Sequence, residues 1–392
     1  MRRFALLLAF ACCAAPFAGT ALAAPTNLLA NPGFEQSLGK HPWMPTSWDT
    51  SRTGLDWVFF GRDSLSARTG RFAVNVANVS NMIPMAVNWS QTLVVGKESW
   101  GKDLVFSVWT RSMGLEGRGY IVLQAFRDSA SKMARVWNVD REEALHRLKI
   151  NKIDDPAIDF GWARQYFTDH ETDWVRREVR VFVPVGVNVV FVRGGLFGTG
   201  QVILDDASLT LEPARPAEVY PLRTNLIADP SFEGDGSTWE YSLPPYEGLQ
   251  VVRDTTVAHS GRAALKIEGH TGLVKARTGV SQVYCNRDLA GKRVKATIWV
   301  KTDSLKTGVF IKIFAHTPKG PIGYPSPRQV AGTQDWTQIG LDLDVPPDTY
   351  ALWIWFNAVT PAEGRFWFDD ATFEVLGPAT GKVHGYETGY GG

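Results

Sequence analysis

The chain is poor in cysteine. It has three in 392 residues, and two of them, Cys12 and Cys13, fall inside the apolar opening "MRRFALLLAFACCAAPFAGTALA". Once that opening is removed Cys285 is alone, so no intrachain disulfide can staple the fold. Its apolar setting, "VSQVYC", predicts a buried structural thiol. An excess of charge of one sign is also missing: 41 Lys and Arg face 40 Asp and Glu, a net +1 spread along the chain. Neither nucleic acid nor an anionic membrane is therefore expected as a partner. Beyond the opening, no run is long and apolar enough to span a bilayer. Catalytic signatures are missing too, with no G-x-S-x-G elbow, H-E-x-x-H helix, C-x-x-C pair or phosphate-cradling P-loop. The seven histidines, His41, His146, His170, His259, His270, His316 and His384, show no metal-ligand spacing.

What is present begins with the opening itself. Two arginines, an apolar run from Phe4 and small residues at Ala21 and Ala23 form the layout of a secretory signal peptide, residues 1–23, cleaved after Ala23. Export to periplasm or medium is the expectation. Further on, 15 Trp, 10 Tyr and 21 Phe accompany 37 Gly and 22 Pro, a mixture of strand formers and turn formers.

The chain then repeats itself. "TNLLANPGFE" from Thr26 returns as "TNLIADPSFE" from Thr224, 198 residues on (224 − 26). "ARTGRFAVNV" matches "AHSGRAALKI", "WSQTLVV" matches "VSQVYCN", and "KDLVFSVWTR" matches "KRVKATIWVK". "DWVRREVRVFVP" matches "DWTQIGLDLDVP", and "VILDDASL" matches "RFWFDDATF". Six landmarks in the same order mark a duplicated domain. The offset falls from 198 to 191, to 190, and then to 162 and 164. Copy one therefore carries about 28 extra residues between Arg111 and Asp173 (62 − 34). Two self-sufficient modules are expected at 24–212 and 224–376. The first should hold an insertion near 129–172, a Pro-rich linker should occupy 213–223, and a flexible tail 377–392. Within each unit polar and apolar residues alternate with period two, as in "KATIWVK", "VFIKIFAH" and "YALWIWFN", which predicts half-buried antiparallel strands. The fold class expected is all-β, two tandem antiparallel sandwiches of jelly-roll type. One short helix is expected at "VDREEALHRLKI", where Asp140 and Glu143 have capping-box spacing.

The ordered set "NLLANPGFE", "TGRFAVNV", "WSQ", "LVFSVWTR", "DWVRREVRVFVP", "VILDDASL" resembles the jelly-roll carbohydrate-binding modules of the family 4, 9 and 22 type, within the galactose-binding-like fold. The resemblance covers almost all of the chain after residue 23, twice. It implies a bound polysaccharide or glycan. It also implies a structural calcium ion held by Glu35 with Asp205 and Asp206 in copy one and by Glu233 with Asp369 and Asp370 in copy two.

A sugar offers flat C–H faces and a rim of hydroxyls, so its platform should show aromatic rings on the strand face that also carries polar groups. In copy two the alternation selects Trp299, then Phe310, Lys312, Phe314 and His316, then Trp353, Trp355 and Asn357. Copy one offers Trp109 with Arg111, then Tyr120, Gln124 and Phe126, then Phe191 and Arg193. A glycosidase needs two carboxylates at a set separation. The one place that gathers histidines with acids is the insertion, with His146, His170, Asp154, Asp155, Asp169 and Glu171. The leading expectation is a secreted, non-catalytic protein that holds glycan and works beside separate carbohydrate-active enzymes. The alternatives are a structural or protein-binding envelope component, and a polysaccharide-degrading enzyme with its site in the insertion.

Overall fold

The computed structural model describes residues 26–382, apart from 52–53, 81–84, 128–142, 144–157, 169–172, 217–218, 235–237, 242–248, 270–277, 285–286 and 360–362. The leader, Cys285, the short helix expected after Val139 and the cluster His146, Asp154, Asp155, Asp169, His170 and Glu171 lie outside the described residues.

The regular elements are strands and two 3-10 turns. The first half contributes β1 (Ser37–Leu38), β2 (His41–Pro45), β3 (Asp49–Thr50), β4 (Val58–Asp63), β5 (Ala73–Asn78), β6 (Met85–Val94), β7 (Lys102–Arg127), β8 (Ile158–Phe167), β9 (Val175–Phe182) and β10 (Val189–Pro213). The second contributes β11 (Glu240–Tyr241), β12 (Leu249–Asp254), β13 (Ala264–Gly269), β14 (Thr278–Tyr284), β15 (Lys292–Thr317), β16 (Gly320–Pro325), β17 (Val330–Asp344), β18 (Ala351–Ala358) and β19 (Gly364–Pro378). Among the described residues no sheet is shared between the halves, and every pairing is antiparallel.

β7 and β10 are long because each belongs to both layers of its sandwich. The first part of β7 pairs with β9 and with the end of β10, and its last part pairs with β8 and the start of β10. The layers are thus β3-β6-β10-β7-β8 and β4-β5-β10-β7-β9, joined through the two shared strands. The crossing falls at Gly117 (φ 103°) in β7 and Gly198 (φ 139°) in β10, where a side chain would be strained and a Cβ on Gly117 would stand 2.4 Å from the Phe197 carbonyl. The second half repeats the plan, with β15 crossing and with β18 and β19 in place of the two parts of β10.

Alternation sets the core. On β15 and β18, Val309, Ile311, Ile313, Ala315, Leu352, Ile354, Phe356 and Ala358 point inward with Phe366, Phe368 and Phe373 of β19. Val74, Val76, Ile121, Leu123, Val190, Val192 and Leu204 do the same in the first half.

The duplicated decapeptides have a structural meaning. Asn31 and Asp229 both take left-handed backbone (φ 48° and 51°), and so do Phe34 and Phe232 (58° and 52°). A phenylalanine there is strained and persists only where packing fixes it. Phe34 and Phe232 are buried, each 4.8 Å from a tryptophan ring, Trp48 and Trp239. Each indole donates to the carbonyl of the strained residue, Trp48 to Asn31 (3.1 Å) and Trp239 to Asp229 (3.0 Å). Asn27 and Asn225 clamp the opening segment to the last strand through Leu209 and Phe373. The motif recurs because each copy needs the same strained corner.

The halves touch. β8, inside the insertion of copy one, lies against β14, β15 and β16. Arg118 donates to the Trp239 carbonyl at 2.6 Å, Arg164 faces Glu240 at 3.6 Å, and Tyr350 and Ala351 pack into the core of the first half. The tail differs from expectation at its start. β19 runs on to Pro378, Ala379 donates to Gly291, and the amides of Thr380 and Lys382 donate to Asp344. Burial opposes ionisation of Asp344, but these donors and the guanidinium of Arg293 hold its carboxyl down at about 2. A polar segment gains order wherever a fixed carboxylate takes its amides.

Candidate functional site

In the second half, β15 and β18 run side by side with Phe310 opposite Asn357, Lys312 opposite Trp355 and Phe314 opposite Trp353. All six point away from the core lined by Ile311, Ile313, Ile354 and Phe356. Phe314, Trp353 and Trp355 form a separate aromatic cluster on that face. The indoles meet edge to face at 4.5 Å, Phe314 lies 6.2 Å and 6.0 Å from them, and Lys312 Nζ sits 4.7 Å from the Phe314 ring. His316 lies 6.2 Å from Trp353. The face is deep, since Phe314, His316, Trp353, Trp355 and Asn357 are all buried, whereas Phe310 and Lys312 are half-buried. Asn357 Oδ1 is a buried acceptor with no hydrogen-bond partner among the described residues. Orphan acceptors are costly and rare in folded proteins.

In the first half, Tyr120, Gln124 and Phe126 of β7 and Phe191 and Arg193 of β10 share the face opposite Ile121, Leu123, Val190 and Val192. Phe126 and Phe191 lie 4.8 Å apart, with the Arg193 guanidinium 5.1 Å from the Phe191 ring. The Tyr120 hydroxyl accepts from Asn88 at 3.0 Å, and burial pushes its pKa up to about 12, keeping it neutral. Tyr166 of β8 stands 6.4 Å away, beside Arg164. Gln124, Arg164, Tyr166, Phe191 and Arg193 are half-buried, so this face is more open than its counterpart. Alternation of the flanking strands missed Arg164 and Tyr166, because the insertion gave no repeat partner to align them with.

Trp109, Arg111 and Trp299 do not join these faces. They lie on the first parts of β7 and β15, in the opposite layer. Trp109 carries the Arg68 guanidinium 3.7 Å above its ring, and Trp299 stacks on His259 at 4.0 Å and 18°. Both indoles support the turn that precedes β5 or β13. Arg111 is half-buried there, with its Nε unbonded among the described residues.

The six carboxylates expected to gather calcium support the same turns. Glu35 accepts from the amides of Arg71 and Phe72, and Glu233 from those of Arg262 and Ala263. Asp205 accepts from the amides of Arg68, Thr69 and Asp206, and Asp369 from those of His259, Ser260 and Asp370. Asp206 pairs with Arg68 (2.6 Å) and Thr69, while Asp370 pairs with His259 (2.6 Å), Ser260 and Ser231. Each of these carboxylates is already engaged by amide, hydroxyl, imidazole or guanidinium donors, and in the first half the Arg68 guanidinium faces Asp206. This donor set does not fit calcium. Among the described residues, no group of three or more His, Cys, Asp or Glu is placed to hold a metal ion.

The class defined by this architecture is a tandem jelly-roll β-sandwich protein. No protein-family model and no curated protein matches the chain. Solved structures similar to it include the tandem CBM22-1–CBM22-2 domain of Paenibacillus barcinonensis Xyn10C, at 14% identity and a TM-score of 0.31, covering 91% of this chain and 99% of that one. A xylan-binding domain from CBM 22 matches at 16% identity and a TM-score of 0.32, covering 41% of this chain and 99% of that one. A family 16 carbohydrate-binding module matches at 19% identity and a TM-score of 0.29, over 38% of this chain and 99% of that one. Among the described residues no helix is long and apolar enough to cross a membrane.

Proposed function

We propose that the protein binds carbohydrate, holding glycan on the sheet face that each sandwich turns away from its core. The observation that carries this reading is the aromatic cluster Phe314, Trp353 and Trp355, set beside Lys312, His316 and the orphan acceptor Asn357 Oδ1. Phe310 and Lys312, half-buried at the rim of this cluster, offer the contact surface, and a sugar hydroxyl entering beside them supplies the donor that Asn357, opposite Phe310, lacks among the described residues. Among the described residues neither face brings together a carboxylate pair suited to glycoside cleavage, and the role proposed is non-catalytic, in an exported protein acting beside separate carbohydrate-active enzymes. Two sites on one chain gain avidity when both engage the same polymer. Calcium has no place in the proposal, because its expected ligands are spent on the turns.

The test is affinity electrophoresis of the full chain in gels containing xylan, β-glucan or mannan, beside Asn357→Ala, Lys312→Ala and Arg193→Ala. These substitutions spare the buried rings whose loss would threaten folding. Retardation by at least one polymer, weakened about tenfold by Asn357→Ala, is the expected result. Free migration of the wild type in every gel refutes the proposal and favours the envelope-component reading.

A further inference from the structure

The step in repeat offset from 198 to 191 marks a second insertion in copy one. Fourteen residues separate Phe34 from Trp48 (48 − 34) and seven separate Phe232 from Trp239 (239 − 232). The extra seven build the β1–β2 hairpin. The corner holds this hairpin firmly: Arg62 donates to the carbonyls of Phe34 (2.9 Å), Pro42 (3.1 Å) and Glu35 (2.7 Å), and Asn31 Nδ2 donates to the carbonyls of Gln36 (2.8 Å) and Thr46 (3.3 Å).

Trp43 of the hairpin, 45% exposed, and Phe59 of β4, 52% exposed, both line an open cleft of about 520 Å³. Val58, Phe60, Leu55 and the hydroxyl residues Thr50 and Ser51 line it with them. Neither aromatic is needed by the fold. The second half makes the same sandwich with seven fewer residues at this corner and, among the described residues, without the hairpin, and the position matching Phe59 is Gln250 (59 + 191).

We infer that this cleft is a second carbohydrate site, one that takes a single pyranose unit of a neutral oligosaccharide between Trp43 and Phe59. Among the described residues no ionisable side chain lines it, so a neutral sugar is the ligand this lining matches. Two rings and two hydroxyl residues match the apolar faces and hydroxyl rim of a sugar. The volume falls within the range of about 300–1,000 Å³ for small-ligand sites. The anchored hairpin is pre-organised, so little ordering entropy opposes binding. This site does not rest on the aromatic faces across the sandwich.

The experiment is ¹⁹F NMR of the full chain labelled with 5-fluorotryptophan, with the signals of Trp43, Trp353 and Trp355 assigned through single Trp→Phe variants. Xylohexaose, cellohexaose and mannohexaose are titrated to about 10 mM, with hexagalacturonate as the charged control. A shift of the Trp43 signal with a neutral hexaose, unmatched by hexagalacturonate and about tenfold weaker in Phe59→Ala, is the expected result. A Trp43 signal unmoved by every neutral sugar overturns the inference, and so does a shift caused equally by the acidic sugar. Trp353 and Trp355 report the other reading in the same spectrum: movement there with Trp43 silent overturns this site alone, and movement at Trp43 alone leaves it standing without theirs.

Discussion

Replacing Asp369 by alanine tests whether these carboxylates hold amides or a cation. Asp369 is fully buried and accepts from the amides of His259 (2.7 Å), Ser260 (3.1 Å) and Asp370 (2.8 Å). Truncation strands three donors, each costing about 1–3 kcal/mol when left without a partner in the interior. Opening of the turn to water recovers part of this cost. Relief of a buried charge, whose pKa burial already raises, recovers more. A net loss of about 2–4 kcal/mol is expected. At a urea slope of about 1–3 kcal/mol per molar, the midpoint falls by about 0.7–4 M. Asp205→Ala should reproduce the loss in the first half, because its three amide bonds are the same in kind. Asp369→Asn, which keeps one acceptor oxygen, should lose about half as much. The assay is urea unfolding followed by circular dichroism, in calcium and in excess chelator. A cation bound tightly at 100 times its dissociation constant would add about 2.7 kcal/mol, so chelation would then lower the wild-type midpoint as much as the alanine variant does. That result, or a loss below about 0.5 kcal/mol in both alanine variants, refutes the reasoning.

Two further outcomes follow from the geometry. Burial raises the Asp205 carboxyl from 3.8 to about 6 despite its three amide donors, so the folded state holds this proton more tightly than the unfolded state. Its contribution to stability is greatest below about pH 4 and is lost as the pH rises through about 6. Melting temperatures of the wild type measured against Asp205→Asn should therefore diverge across that window, the wild type losing ground as pH rises, and parallel curves would contradict the assignment. Gly195→Ala should cost more than about 2 kcal/mol, because the new Cβ would stand 2.0 Å from the Val87 carbonyl and push β6 from β10. A melting temperature unchanged by that substitution would show that the strands yield more easily than their spacing implies.

Much of the fold was legible in the sequence because period-two alternation and ordered echoes are properties of the chain alone. Ile311, Ile313, Ile354 and Phe356 alternate with Lys312, Phe314, Trp353 and Trp355, and burying one set fixes where the other points. The same logic failed for Trp109 and Trp299. Alternation gives a side of a strand but not a layer, and β7 and β15 change layers midway. The acidic landmarks were legible, but not what they hold, since a carboxylate is chosen alike by a cation and by a row of amides, and the structure shows amides on Glu35 and Asp369. The duplication, the all-β class and the two insertions are therefore written in the chain itself. The contact of β8 with the second half and the stapling of the turns by Asp205 and Asp369 come from residues far apart in sequence, which only the packed sandwich brings within reach, and the cleft lined by Trp43 and Phe59 appears only once the chain has folded.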